Sequence, residues 1–263
     1  MSQATRYIDI NCDMGESYGR WTLGADEEVM PHITSANVAC GFHGGEPHVM
    51  RKTVELALQH GVAIGAHPGL PDLMGFGRRR MDVSPQEIKD IHLYQIGALE
   101  AFCRAAGTTL QHVKPHGIQY HMFEENLPLG RASAENVVEL DKRLILMTMA
   151  QTKYDLEARK VPGVLVAAEG FADRVYAEDG QLVSRKLGKD ALVSDPAKAA
   201  EQAVRMVMEG KVRAITGKVI DVRVDTICIH GDSPGAEKIV AAVREGLVKA
   251  GAAVKPLRDW FGT

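Results

Sequence analysis

Cysteine is scarce in this 263-residue chain: Cys12, Cys40, Cys103 and Cys228 are scattered, with no C-x-x-C spacing. That excludes a disulfide framework or a zinc knuckle built on cysteine, and predicts reduced thiols in a cytoplasmic protein. An excess of one charge is also missing, with 31 Lys and Arg against 34 Asp and Glu. No field is therefore available to attract nucleic acid or an anionic membrane. No apolar run is long enough to span a bilayer and no signal segment precedes the first strand, so the cytoplasm is the expected location. Tandem repeats, low-complexity tracts, a G-x-x-x-x-G-K-[ST] phosphate loop and an H-E-x-x-H helix are all absent. The expected partners are small molecules or other proteins.

What the chain does have is polar residues on short apolar strands. Residues 7–16 alternate Ile8, Ile10 and Cys12 with Asp9, Asn11 and Asp13. Alternation normally turns the polar face to water, but strands of a parallel sheet are covered on both faces, so carboxylates there mark a site. The pattern recurs in 62–67, which ends in His67, and in 111–116, which sets His112, Lys114 and His116 opposite Val113. In 225–230 it sets Thr226, Cys228 and His230 opposite Ile227 and Ile229.

Strands are expected at 7–12, 35–40, 62–67, 111–115, 143–148, 163–168 and 225–230. Helices are expected from Glu46 to His60, from the capping box at Ser84 to Gly107, from Asp195-Pro196 to Gly210, and from Ser233-Pro234 to Gly251. Strand-helix alternation without a clear edge strand predicts an α/β fold, a closed (β/α) barrel of seven strands, with residues 1–263 as one domain. Ligands then bind beyond the C-terminal strand ends. Residues 170–194 lack helical period, and Glu178-Asp-Gly-Gln reads as a turn joining two extended pieces outside the barrel.

Several motifs carry candidate chemistry. In Cys40-Gly-Phe-His-Gly-Gly-Glu-Pro-His48, glycines such as Gly41 would let backbone amides approach an anion near a helix start, beside His43, or would merely shape the turn. Arg78 or Arg79 could fork onto a substrate carboxylate. An inward Lys114 needs a carboxylate or a ligand nearby, with Asp13 and Glu169 as candidates. Asp232 and Ser233 are explained by the helix they precede, whereas His230 is not. Asp13, His43, His67, His116 and His230 could supply a carboxylate and two imidazoles to a divalent metal, Asp13, His43 and His67 foremost. General acid-base histidines are the simpler reading. His112 and His116 lie on one strand, which spreads their rings roughly 13 Å apart.

The runs Asn11-Cys-Asp-Met-Gly-Glu16, Asn37-Val-Ala-Cys-Gly-Phe-His43, Gly65-Ala-His-Pro-Gly69, Val113-Lys-Pro-His-Gly117, Gly170-Phe-Ala-Asp-Arg174 and His230-Gly-Asp-Ser-Pro-Gly235 together resemble the LamB/YcsF family. The resemblance implies a seven-stranded β/α barrel related to glycoside hydrolases and deacetylases. It implies ATP-dependent hydrolytic opening of 5-oxoproline to L-glutamate, with two partner subunits, B and C, of a 5-oxoprolinase. ATP and Mg²⁺ would be bound partly or wholly by those partners. On this reading Asp13, Lys114, His116 and Glu169 are catalytic, while Asn11, Asn37, Gly41, His43, His67, Arg78 and His230 hold the substrate. Gly117-Ile-Gln-Tyr-His121, Glu46 and Ser184-Arg185-Lys186 depart from the family pattern and leave another lactam open. Two alternatives stand beside this: a metal-dependent amidohydrolase or deacetylase working alone, and a non-catalytic carboxylate-binding subunit. Homo-oligomerisation is left open.

Overall fold

The first strand is covered on both faces, and its polar side is turned inward. This is seen in the computed structural model, which describes residues 5–184, 188, 190–231 and 235–262. In chain order the elements are β1 (Arg6–Met14), α1 (Asp26–Val29), β2 (Ser35–Ala39), α2 (Pro47–Gln59), β3 (Ala63–His67), α3 (Pro85–Ala105), β4 (Leu110–Val113), α4 (Gln119–Glu125) and α5 (Leu127–Leu140). They continue with β5 (Ile145–Met149), α6 (Lys153–Ala158), β6 (Leu165–Phe171), α7 (Pro196–Val204), β7 (Lys211–Arg213), β8 (Val219–Asp221), β9 (Thr226–Ile229), α8 (Ala236–Lys249) and β10 (Ala252–Val254).

Strands β1, β2, β3, β4, β5, β6 and β9 pair in that order, all parallel, and β9 pairs back onto β1. The sheet is a closed seven-stranded barrel, and each of the seven expected strands overlaps one of these. Three strands hold β1: β10 along Arg6–Ile8, β9 along Asp9–Cys12 and β2 along Asn11–Met14. Every residue of β2, β3 and β5 is buried, as expected of parallel strands under helices.

Local signals set the helix ends. Ser84 and Glu87 form the reciprocal capping box that starts α3. Past α7 the chain continues as a π-helical turn, Arg205–Glu209, to Gly210 at φ +67°, and Met206 there is buried in the core. The expected turn at 178–181 exists, closed by Ala177 N–H donating to Gln181 O at 2.8 Å, but it joins only a single bridge between Tyr176 and Leu182. The actual hairpin is β7–β8, whose three-residue strands are too short to show a period. Residues 185–187 and 232–234, including Asp232 and the expected helix start at Ser233-Pro234, lie outside the described residues. No described helix is long and apolar enough to cross a membrane.

Ile8, Ile10 and Cys12 belong to the main hydrophobic core, whereas Asp9 and Asn11, equally buried, face polar groups from other strands. Thr34, Ser35 and Thr226 each donate a hydroxyl hydrogen to Asp9, at 2.7, 2.6 and 2.5 Å. Burial still pushes the Asp9 carboxyl up to about 6, against the pull of those hydrogen bonds. The folded chain therefore keeps this proton to about pH 6, while the unfolded chain releases it near the ordinary 3.8. Between those limits the folded state binds more protons at this carboxyl, so the contribution of Asp9 to stability falls as pH rises, by about 3 kcal/mol in all. Asp9→Asn should remove that contribution, leaving the rest of the pH dependence to groups such as Asp26, which burial also pushes up to about 6, and the buried neutral His112. The difference between wild type and variant in urea unfolding at roughly pH 4 and pH 7 reads it. An undiminished wild-type slope in the variant would assign it elsewhere.

Candidate functional site

Lys114 follows directly on β4 and is 2 % exposed. Its ammonium lies 2.7 Å from Asp13 Oδ1, at the end of β1, and 3.0 Å from Glu169 Oε1, near the end of β6. Cys228 Sγ from β9 is 3.1 Å away. Burial pulls the pKa of Lys114 down, but Asp13, Cys228 and Glu169 outweigh it and hold it well above the usual lysine value. Burial likewise opposes charge on Asp13, yet His67 and Lys114 keep that carboxyl well below the carboxylate range. Tyr120, from α4, donates its hydroxyl hydrogen to Glu169 Oε2 at 2.9 Å. Three strands thus deliver one cation and two carboxylates to one buried point.

Beneath it lies a chain of amides with fixed orientation. Arg258 N–H donates to Gln111 Oε1, so Gln111 Nε2 donates to Ser35 Oγ and to His112 Nδ1. His112 is then protonated on Nε2, which donates to Asn37 Oδ1 at 2.7 Å. Burial pushes His112 down to about 3, so the ring is neutral. Asn37 Nδ2 must therefore donate, and it reaches both Asn11 Oδ1 and Asp13 Oδ1 at 2.8 Å. Asn11 and Asn37 support Asp13 from below; they do not wall the cavity above it.

Beside Asp13 three imidazoles meet. His43 and His116 stack with centroids 3.6 Å apart, and His67 meets both rings edge-on. Glu16 Oε1 is 3.4 Å from His43 Nε2 and 3.8 Å from His116 Nδ1. Burial holds His43 and His116 well below the ordinary histidine value. Neither ring nitrogen of His43 has a hydrogen-bond partner among the described residues, although the ring is wholly buried. One donor atom from each of Glu16, His43, His67 and His116 falls within 4.8 Å of the others, so this cluster could hold a metal ion.

Above Lys114 opens a cavity of about 340 Å³, walled by Asp13, Lys114, Tyr120, Phe171, Arg78 and His230 among others. Arg78 lies over the Phe76 ring, 5.0 Å from its centroid. His230 donates its backbone N–H and Nδ1–H to Asp173 Oδ2, at 3.0 and 2.8 Å, and its ring stacks on Phe171. Asp173 is buried, but His230 outweighs burial and keeps its carboxyl low. The orientation leaves His230 Nε2 as the nitrogen able to accept a proton.

Residues 8–261 match the LamB/YcsF family. The chain belongs to this family. It is similar to the 5-oxoprolinase A-subunit of Pyrococcus furiosus, 51 % identical over 254 residues that cover 97 % of this chain and 99 % of the relative. The Staphylococcus epidermidis protein of the same name is 48 % identical over 250 residues, 95 % of this chain and 98 % of the relative. Among solved structures, the lactam utilization protein of Thermus thermophilus superimposes with a TM-score of 0.89 at 48 % identity, covering 95 % of this chain and 99 % of that one.

In this LamB/YcsF chain the structure regroups several of the expected site residues. Asp13 turns Oδ1 to Lys114 and Oδ2 toward His67 Nε2, 3.5 Å away, while the donors that cluster with His43 and His67 are Glu16 and His116. His116, expected to be catalytic, donates Nε2–H to the Phe76 carbonyl and turns Nδ1 to His67 Nε2, 3.0 Å away, rather than to the cavity. Gly41 does not wall the cavity, and its amide is spent on Gly44 O. Glu46 caps α2 with its own carboxylate, on His48 N and Val49 N, so the helix start already has its anion. Of the arginines, Arg79 turns to Asp72 and Arg80 to Glu125, leaving Arg78 at the cavity. Gln119 is buried against His92 and the Pro68 carbonyl, whereas His121 does wall the cavity. Sequence reasoning missed Glu16, Tyr120 and Asp173 as site residues, although Glu16 closes the run that starts at Asn11 and Asp173 lies in the run that starts at Gly170.

Proposed function

We propose that this chain opens 5-oxoproline hydrolytically to L-glutamate, as one component of an ATP-dependent enzyme completed by two other subunits. The observation that carries the reading is the Lys114 cation, buried between Asp13 and Glu169 at the base of a cavity sized for a small cyclic amide. The names of its close relatives support the substrate and the existence of further subunits.

A lactam carbonyl is a poor electrophile, and ATP supplies a phosphoryl group that makes its oxygen a leaving group. The remaining work falls to this chain. Arg78 would hold the substrate carboxylate at the rim. Lys114 would stabilise charge developing on the lactam oxygen, with Asp13 and Glu169 fixing its ammonium in place. His230, oriented by Asp173, would take a proton from the attacking water through Nε2 and return one to the departing ring nitrogen. The C–N bond then breaks to leave an acyl phosphate, and a second water hydrolyses it, so that 5-oxoproline, ATP and two waters become glutamate, ADP and phosphate.

The test is ATP-dependent glutamate release by this chain alone and mixed with the two partner subunits, for wild type and Asp13→Asn. Activity only in the mixture, lost in the variant, is expected. Glutamate release by the isolated chain without ATP would favour the metal-dependent amidohydrolase alternative, and full activity of the variant would take Asp13 out of the reaction.

A further inference from the structure

His67 Nδ1 lies 2.7 Å from the Lys114 carbonyl oxygen, and His116 Nε2 lies 2.8 Å from the Phe76 carbonyl oxygen. A carbonyl only accepts, so both of these nitrogens carry hydrogens. In neutral rings the other two nitrogens, His67 Nε2 and His116 Nδ1, are bare lone pairs, and they face each other at 3.0 Å. Two buried lone pairs at hydrogen-bond distance need a cation between them.

Glu16 Oε1 sits 3.8 Å from one of these nitrogens and 3.4 Å from His43 Nε2, on the ring that has no hydrogen-bond partner among the described residues. Glycines make the room: a Cβ on Gly69 would lie 2.4 Å from His43 Nδ1, and one on Gly77 would lie 2.7 Å from His116 Cδ2.

We propose that Glu16 Oε1, His43 Nε2, His67 Nε2 and His116 Nδ1 bind a divalent ion of the zinc class. Tetrahedral zinc has bonds of about 2.0–2.1 Å, which puts its ligands about 3.3 Å apart; three of the ligand pairs, at 3.0, 3.4 and 3.8 Å, lie near that spacing, and the stacked His43 and His116 rings must turn for both to face one ion. Three imidazoles and one carboxylate suit zinc or cobalt, whereas calcium and magnesium prefer oxygen alone. Ligand histidines characteristically donate their second N–H to a carbonyl, as His67 and His116 do here. The ion would tie the segment after β1 to the ends of β2, β3 and β4, beside Asp13 and apart from Lys114. The proposal does not depend on the identity of the substrate.

The rival occupant is a proton shared by His67 and His116. Protein made without a polyhistidine tag, stripped with EDTA and titrated with Co²⁺ alone separates the two. One equivalent of Co²⁺, with the intense visible bands of tetrahedral coordination and a raised thermal midpoint, is expected. His43→Gln and Glu16→Gln should each weaken Co²⁺ binding by more than the roughly 10–100-fold that losing an outer-shell partner costs. His48→Gln, an exposed position on α2, should bind like wild type. If a ligand variant does not fold, the wild-type spectrum and stoichiometry decide. No stoichiometric binding, an octahedral spectrum, or ¹⁵N signals of a shared imidazole proton unchanged by Co²⁺ would overturn the proposal. None of these readouts uses turnover, so they remain distinct from the glutamate assay.

Discussion

Lys114→Met in the assembled enzyme should lower kcat by at least about 10²–10³-fold, the cost of removing one group that stabilises developing oxyanion charge. Methionine keeps much of the volume and loses the charge. A second effect follows from the surroundings: Asp13 and Glu169 would stay buried without their shared cation, which destabilises by about 3–5 kcal/mol. Protonating one carboxylate relieves that penalty, so the variant should recover stability relative to wild type as pH falls. Steady-state kinetics and urea unfolding across pH measure the two effects separately. A kcat within about tenfold of wild type would take Lys114 out of the chemistry and leave it a structural ion pair.

Gly65→Ala should prevent stable folding, or cost about 3–5 kcal/mol where folding survives. A Cβ at this position of β3 would lie 2.1–2.3 Å from three atoms of the His112 ring. That ring cannot step aside, because Asn37 holds one nitrogen and Gln111 the other. Moving it would also leave buried amides unpaired. Gly97, inside α3, provides the contrast, since a Cβ there meets nothing within 4 Å. Gly97→Ala should stabilise by up to about 1 kcal/mol through helix propensity alone. Denaturant midpoints of the two variants test the pair; a Gly65→Ala protein as stable as wild type would mean that His112 is not pinned.

These two glycines show what a sequence can and cannot reveal. Both are single letters in otherwise regular segments, and nothing local distinguishes them; a ring arriving from the neighbouring strand does. The barrel strands were legible because alternation and capping are local, and the strand-end residues His67, Lys114 and His230 were legible because a parallel barrel points them at its mouth. The partners were harder. That Lys114 would meet Asp13 and Glu169 followed from charge, but whether Asp13 or Glu16 joined the histidines depended on two residues of chain past a strand end. The three arginines at 78–80 look equivalent in sequence; the fold turns Arg79 to Asp72 and Arg80 to Glu125, and sets Arg78 at the cavity.

The oriented amides beneath Asp13 bear on how the barrel assembles. Oil-and-water sorting repeats every two residues along a strand, so it rejects a slip of one residue and is blind to a slip of two. In the native pairing Asn37 stands opposite Asp13; a two-residue slip of β2 would set Ser35 or Ala39 there instead. The side chains would still point inward, but the Asp13 carboxylate would lose its amide. Each asparagine, with one end that gives and one that takes, therefore works as a keyed joint. The polar interior proofreads strand alignment that hydrophobicity leaves degenerate, and the chain that forms correctly is the one whose Asp13 is already aimed.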